Sequence, residues 1–414
     1  MTQSIFNHAK MSLAALMMTS SVSTLALAQE DRDVMLAAWT SVNWSDRDFG
    51  TLYAGDGWKV HLAQSKNGDA VTNIVTISHG ETAPQSFEIS TEEAARGMIG
   101  LYPFEEDKGN AIYFSTDSGG AHCCTTATIF QMDNGELTAV PLGDFDGGRP
   151  EPQDLDDDGM FELVTRDQRF NYAFSSYAES YPPEKILRVA FGEVEDVTTY
   201  SEFQPRLQQQ TLRRLEALAQ ENGVIPAGLV AGLLATASQA GLYHGVVGYL
   251  SQEVFEQTGE EYASCFGPDC PADPNYKNLG AALMDRLSTW GYDLKDRRDE
   301  KAEALLAELS TNTNGFGDND GGIGSCGNGQ TTFSHYEGQY EYQGGDFRCR
   351  IANAKMVGSS MLTRSVCWAE NEPIVENAIM TKEGDNLSIA RWQGNFQDYF
   401  SNQNGFVTVQ QCKP

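Results

Sequence analysis

The run Asp154-Leu-Asp-Asp-Asp-Gly-Met-Phe-Glu-Leu-Val164 constrains this chain more than any other stretch. Carboxylates stand at the alternate positions Asp154, Asp156 and Asp158. Gly159 follows, and Glu162 opens an apolar run. Like charges this close repel one another unless something positive sits between them. A hard cation such as Ca²⁺ takes about six to eight oxygens, and a short loop supplies them by folding around the ion. Alternate acidic side chains point inward, the glycine permits the sharp turn, and a backbone carbonyl fills a further place. The spacing therefore predicts a Ca²⁺ loop with Asp154, Asp156, Asp158 and Glu162 as ligands. It does not fit an EF-hand, because the twelfth position falls on Thr165, which has no carboxylate. The plain alternative for the same residues is an acidic surface turn without metal.

The loop runs straight into a strand-like segment at residues 161–165. In this it resembles the D-x-D-x-D-G-x-x-D/E-L/I loop of FG-GAP and VCBS-type repeats, as found in exported bacterial proteins. The resemblance covers residues 144 to about 197 and implies a calcium-binding role for Asp154, Asp156, Asp158 and Glu162. Asp144 and Asp146, in Gly143-Asp-Phe-Asp-Gly147, supply an outer ligand or form a simple turn. A propeller needs at least about four blades, and no second complete loop recurs at a regular period. The propeller architecture of those families is therefore not implied here.

An N-terminal stretch reads as an export signal over residues 1–28. It has a weakly basic start (His8, Lys10), an apolar segment at 13–27 diluted by Ser and Thr, and the small-x-small pattern Ala26-Leu27-Ala28. Cleavage there makes Gln29 the first mature residue, and no membrane span is expected after it. The formal net charge of −30 repels phosphate backbones and anionic headgroups, which argues against nucleic acid and membrane surfaces as partners. Eight cysteines, none of them in the signal segment, suit an oxidising compartment. Together these features predict a periplasmic or secreted protein.

The expected fold class is α+β and multidomain. Residues 29–204 read as a β-rich domain, with short strands at 58–62, 71–77, 111–114, 125–131, 137–140, 161–165 and 185–191. Turn signals punctuate them at Lys66-Asn-Gly-Asp69 and Asp133-Asn-Gly135. Residues 205–310 carry apolar residues at helical spacing and form a central helical region. The segment 227–240 is apolar nearly all round, so it is expected to be buried. Residues 311–329 are rich in Asn, Gly and Asp and read as a linker, in which Asp318-Asn-Asp-Gly-Gly322 faintly echoes the calcium loop. Residues 330–414 form a small antiparallel β-domain. Cys326, Cys349, Cys367 and Cys412 are expected to pair among themselves, with three pairings open. Cys265 and Cys270 are expected to form a local bridge.

Catalytic signals are sparse. Ser115-Thr-Asp-Ser-Gly-Gly-Ala-His-Cys-Cys124 holds fragments like the serine and histidine motifs of chymotrypsin-like proteases, but they abut and no third group is evident. The adjacent Cys123 and Cys124 suggest a structural disulfide, a strained vicinal pair, or zinc, the last disfavoured because contiguous residues cannot readily share one tetrahedral ion. No phosphate loop, His-Glu-x-x-His or Gly-x-Ser-x-Gly appears, and the histidines are scattered singly. The expectation is a calcium-stabilised, non-catalytic exported module that binds an unidentified protein or cell-envelope polymer. The alternatives are a hydrolase centred near Ser118 and His122, and an inhibitor of an extracellular enzyme acting through the C-terminal domain.

Overall fold

Pro and Gly signals at residues 46–57 and 80–84 break the N-terminal segment into short strands, and tertiary packing sorts those strands into three sheets. The computed structural model describes residues 33–68, 70–90, 95–117, 124–220, 225–247, 250, 252–258, 276–294, 298–317, 326–327, 330–336, 339–344, 347–369, 372–392 and 407–412. The signal segment, Ser118, His122, Cys123, Cys265, Cys270 and residues 318–322 lie outside them.

The strands of the first half are β1 (Asp33–Met35), β2 (Thr40–Ser45), β3 (Leu52–Gly55), β4 (Trp58–Asn67), β5 (Ala70–His79), β6 (Gln85–Ser90) and β7 (Arg96–Pro103). They continue with β8 (Asn110–Asp117), β9 (Thr125–Asp133), β10 (Glu136–Phe145), β11 (Glu151–Gln153), β12 (Glu162–Arg166), β13 (Glu184–Ala190) and β14 (Glu193–Asp196). One sheet has the order β1-β3-β4-β5-β6, a second β10-β9-β8-β7-β2, and a third β11-β12-β13-β14. The hairpin β9–β10 closes on Asn134 (φ 50°) and Gly135 (φ 84°), the two positive φ values that a two-residue turn matching strand twist demands.

The second sheet is the middle layer. On β8, Ile112 and Phe114 join Val60, Leu62, Val75 and Ile77 of the first sheet in one core. Ala111 and Tyr113 point the other way and join Leu163 and Val189 of the third sheet in another. Period-two alternation thus feeds two cores from one strand. Strand β7 is almost wholly buried yet does not read as a strand in sequence, because Gly97, Gly100 and Pro103 dilute it. Close approach of the neighbouring strand requires the glycine at 97, where a Cβ would lie 1.8 Å from the Ser115 carbonyl oxygen of β8 in the same sheet.

After β14 come helices α1 (Gln204–Gln220), α2 (Ala227–Gln239), α3 (Tyr243–Val247), α4 (Gln252–Glu256), α5 (Leu279–Thr289) and α6 (Glu300–Thr311). Every residue of α2 is buried. Leu207 and Leu215 of α1 and Leu283 and Leu287 of α5 surround it. Phe170 and Phe174 close it from the loop after β12. Among the described residues no helix is long and apolar enough to cross a membrane.

The last eight strands are β15 (Phe316–Gly317), β16 (Thr332–Tyr336), β17 (Gln339–Gly344), β18 (Phe347–Val357), β19 (Ser360–Ala369), β20 (Glu372–Glu383), β21 (Asn386–Trp392) and β22 (Val407–Gln411). They form one antiparallel sheet in the order β15-β22-β21-β20-β19-β18-β17-β16. Phe316 and Thr331 exchange two backbone hydrogen bonds of 2.8 Å, which bring the sheet's ends together into a near-barrel. Its interior holds Phe316, Phe333, Tyr342, Ile351, Met361 and Met380, with Ala302, Leu306 and Leu309 of α6 packed in the same cluster. Disulfides join Cys326 to Cys412 and Cys349 to Cys367. All four cysteines therefore pair within their own set, as their spacing suggests. The barrel core, however, draws in residues 302–316, upstream of residue 330 and partly inside the stretch that reads as a linker. The reason is physical: α6 has an apolar stripe that only the barrel interior covers.

Candidate metal centre

The acidic loop joins β11 to β12 as the tip of a hairpin, with Gln153 opposite Glu162 and Glu151 opposite Val164. Asp157 (φ 59°) and Gly159 (φ 85°) take left-handed backbone and curl the loop back on itself. The Gly159 N–H donates to Asp154 Oδ2 at 3.1 Å, and the Met160 N–H donates to Asp158 Oδ1 at 2.7 Å. These bonds fix the carboxylates of Asp154 and Asp158. Ligand oxygens of Asp154, Asp156 and Asp158 lie within 4.8 Å of one another. Asp154 Oδ1 and Asp156 Oδ1 are each shielded from solvent without a hydrogen-bond partner. Buried carboxylate oxygens are rarely left without a donor, so this pair fits a cation between them.

Glu162 sits apart from the trio. It is fully buried, and its Oε2 accepts the Leu155 N–H at 3.1 Å. Its Oε1 accepts Nε and Nη2 of Arg188 at 3.1 and 2.9 Å. Arg188, on β13, also reaches Asp156 Oδ2 at 3.3 Å, and its guanidinium lies 5.6 Å from the Phe203 ring centre. Glu162 thus positions the loop from beneath rather than facing the gap between the three aspartates. Burial holds the Glu162 carboxyl above the usual carboxylate range, although Arg188 and the Leu155 N–H pull the other way. Burial also raises Asp156, and the neighbouring charge of Asp158 adds to the effect. One guanidinium does not neutralise this many carboxylates, and the surplus negative charge is what a divalent cation requires.

Asp144 and Asp146 lie elsewhere. Asp144 Oδ1 accepts the Thr126 hydroxyl at 2.8 Å, and Asp146 accepts from Asn171 and Tyr177 at 3.3 and 3.4 Å. They anchor the end of β10 and the segment after β12. Arg188 escaped the sequence reading, since one basic residue in an apolar strand signals nothing until its partners are known. Ser118, His122 and Cys123 lie outside the described residues, and Cys124 is disulfide-bonded. Of the four described histidines, His61 stands on β4, while His79 packs on Trp58, His244 on Tyr243 and His335 on Tyr340. A cleft of about 860 Å³ runs beside the same β11–β12 hairpin, between the third sheet and α1.

The third sheet is a four-stranded meander in chain order, tipped by a loop that gathers aspartates, and it belongs to a three-layer β-domain rather than to a ring of blades. A segment of 96 residues is 43% identical to a probable thylakoid lumen protein of Synechocystis sp., covering 23% of this chain and 28% of that protein. A match over 92 residues is 35% identical to an uncharacterised protein of Sinorhizobium fredii, covering 22% of this chain and 15% of that one. The chain therefore matches less than a third of the length of either relative. No family model matches it, and no solved structure does. The likeness to FG-GAP and VCBS-type repeats accordingly rests on the loop motif.

Proposed function

We propose that this chain is an exported, calcium-stabilised binding protein of the periplasm, cell envelope or extracellular space, acting on its partner without catalysis. The observation that carries the calcium assignment is the pair of shielded, partnerless oxygens Asp154 Oδ1 and Asp156 Oδ1 within one trio of carboxylates. Asp154, Asp156 and Asp158 hold the ion, and Glu162 with Arg188 fixes the loop behind them. When bound, calcium cancels the repulsion within the trio and locks the β11–β12 hairpin. The lumenal name of the Synechocystis relative, the disulfides and the acidic charge support the exported compartment.

Calorimetry and thermal unfolding of the whole chain test this reading. Calcium should bind with measurable heat and stabilise the fold by about 2.7 kcal/mol at a hundredfold excess over its Kd. Magnesium should substitute poorly, because it is smaller and holds its waters in near-octahedral geometry. Asp156→Ala should remove most of the calcium-induced rise in Tm. An acidic turn without metal predicts the opposite pattern: no heat in the wild type, and a neutral or mildly stabilising Asp156→Ala. That outcome would sink the assignment.

A further inference from the structure

In a chain of net charge −30, one cleft reverses the local sign. The concavity beside the β11–β12 hairpin is lined by Arg149, Arg166, Arg206, Arg213 and Arg214, against only three carboxylates, Asp146, Glu151 and Glu184. Clustering cations costs repulsion that an acidic protein has ample carboxylates to relieve, yet here most are not relieved. Among the described residues only Arg206 is ion-paired, with Glu184. Arg214 donates to the backbone carbonyls of Tyr181 and Pro182 at 2.9 Å each and has no carboxylate within salt-bridge distance. Burial, with the like charge of Arg166 added, pulls the Arg214 pKa down to about 10. Arg149 has one long hydrogen bond, 3.4 Å to Asn43. Arg166 and Arg213 are exposed and make neither hydrogen bond nor ion pair with any described residue.

Guanidinium groups with open donors match planar carboxylates and phosphates in bidentate geometry. Three further features choose between those anions. The cleft, at about 860 Å³, is far larger than one phosphate needs. Asp146 and Glu151 on its wall would repel a compact dianion but accept hydrogen bonds from hydroxyls. Gln153 and Gln210 add amides, and Tyr181, 37% exposed, adds an aromatic face on which a sugar ring can lie.

We infer that this cleft binds an acidic oligosaccharide, a chain of uronic-acid type, with Arg166 and Arg213 taking its carboxylates and the cleft's Gln and acidic side chains taking its hydroxyls. This inference rests on the reading of the chain as an exported binding protein and names the class of its partner. Its floor is the hairpin that the calcium loop terminates, since Gln153 and Val164 flank that loop and line the cleft.

The test titrates the whole chain, in calcium, with a tetramer of galacturonic acid, its carboxyl-reduced neutral counterpart and inorganic phosphate. The acidic tetramer should bind, and more weakly as salt is raised, while the neutral tetramer should not. Arg166→Ala and Arg213→Ala should each weaken binding on the order of tenfold, and the double variant on the order of a hundredfold. Both side chains are exposed and unpaired, so the variants should keep the wild-type Tm and its calcium response. Unchanged affinity in the double variant overturns the site. Phosphate binding as tightly as the acidic tetramer overturns the sugar assignment. Absence of tetramer binding in a preparation that calcium still stabilises overturns the cleft and leaves the calcium reading standing. Tetramer binding without any calcium response does the reverse.

Discussion

Arg188 shows how one residue sets the character of a site that sequence attributes to others. Its guanidinium holds buried Glu162 and reaches Asp156, so it both supports the loop and partly neutralises it. Replacing one partner of a buried pair leaves the other charge stranded, typically at roughly 3–5 kcal/mol. Arg188 is about a quarter exposed, so solvent screening reduces the expected loss for Arg188→Met to about 2–3 kcal/mol in chelator. The same change makes the loop more negative. The calcium-induced rise in Tm should therefore be larger in Arg188→Met than in wild type, which paired melts with calcium and with chelator will measure. A smaller rise would place Arg188 outside the loop's electrostatics.

Between elements, two of the contacts that hold the β-layers and their loops to the helices are open to test. Asp167, buried just after β12, accepts from Arg169 Nε at 2.8 Å and from the Tyr292 hydroxyl at 2.8 Å, tying the sheet to the segment after α5. Burial opposes its charge, but Arg169 and Tyr292 overcome that and hold its pKa below the usual carboxylate range. Its stabilisation is therefore complete above the ordinary carboxylate pKa of about 4 and is lost as pH falls through the lower folded value. Asp167→Asn should lower Tm near neutral pH, and the gap from wild type should close in acid. A gap that stays constant with pH would show that the charge is not what matters. The second contact is Gly232 of α2, where a Cβ would lie 1.9 Å from the Tyr181 carbonyl oxygen. Backbone cannot give way as a side chain can. Gly232→Ala should cost about 2–3 kcal/mol in denaturant unfolding, despite its better helix propensity. It should also displace the Tyr181 wall of the cleft.

Across the whole molecule, the barrel and the sheet that carries the acidic loop are separated by the helical layer, and their proposed stabilising devices differ. Cys326–Cys412 spans 86 residues of sequence and Cys349–Cys367 spans 18. Chain-entropy reasoning assigns about 4–5 and about 3 kcal/mol to closures of these sizes. Reduction should therefore loosen the barrel, seen as lost near-ultraviolet dichroism from Tyr340 and Tyr342. Calcium should still raise the Tm of the transition that remains. The barrel also packs Ala352, Val366 and Val375 against the helical core, so reduction should weaken the helices before it reaches the sheets. Reduction also opens the bridge at Cys124 beside β9, so the paired change Cys349→Ser and Cys367→Ser, which leaves that bridge intact, is the control. Loss of the calcium response in it would show that the two ends unfold as one unit.

What the sequence by itself determined was local. Asn134-Gly135 specifies a hairpin because few residues other than Gly, Asn and Asp take positive φ readily. The apolar run 227–240 specifies a buried helix because no face of it suits water. The alternate aspartates specify a loop that collects negative charge, and the C-terminal cysteine set specifies a bridged antiparallel sheet. Tertiary structure alone decided the rest, and the reason is the same each time: the deciding partner is remote in sequence. Strand β7 is a strand because its glycines let the neighbouring strands β8 and β2 approach it closely, and no periodicity records that. Helix α6 belongs to the barrel because the barrel interior, from Phe316 to Val409, is what covers its apolar stripe. Glu162 turns inward to Arg188, 26 residues away, instead of joining the three aspartates. The arginines at 149, 166, 206, 213 and 214 look like scattered charges in a linear reading. They become one positive cleft only because α1 folds back across the hairpin that the acidic loop terminates.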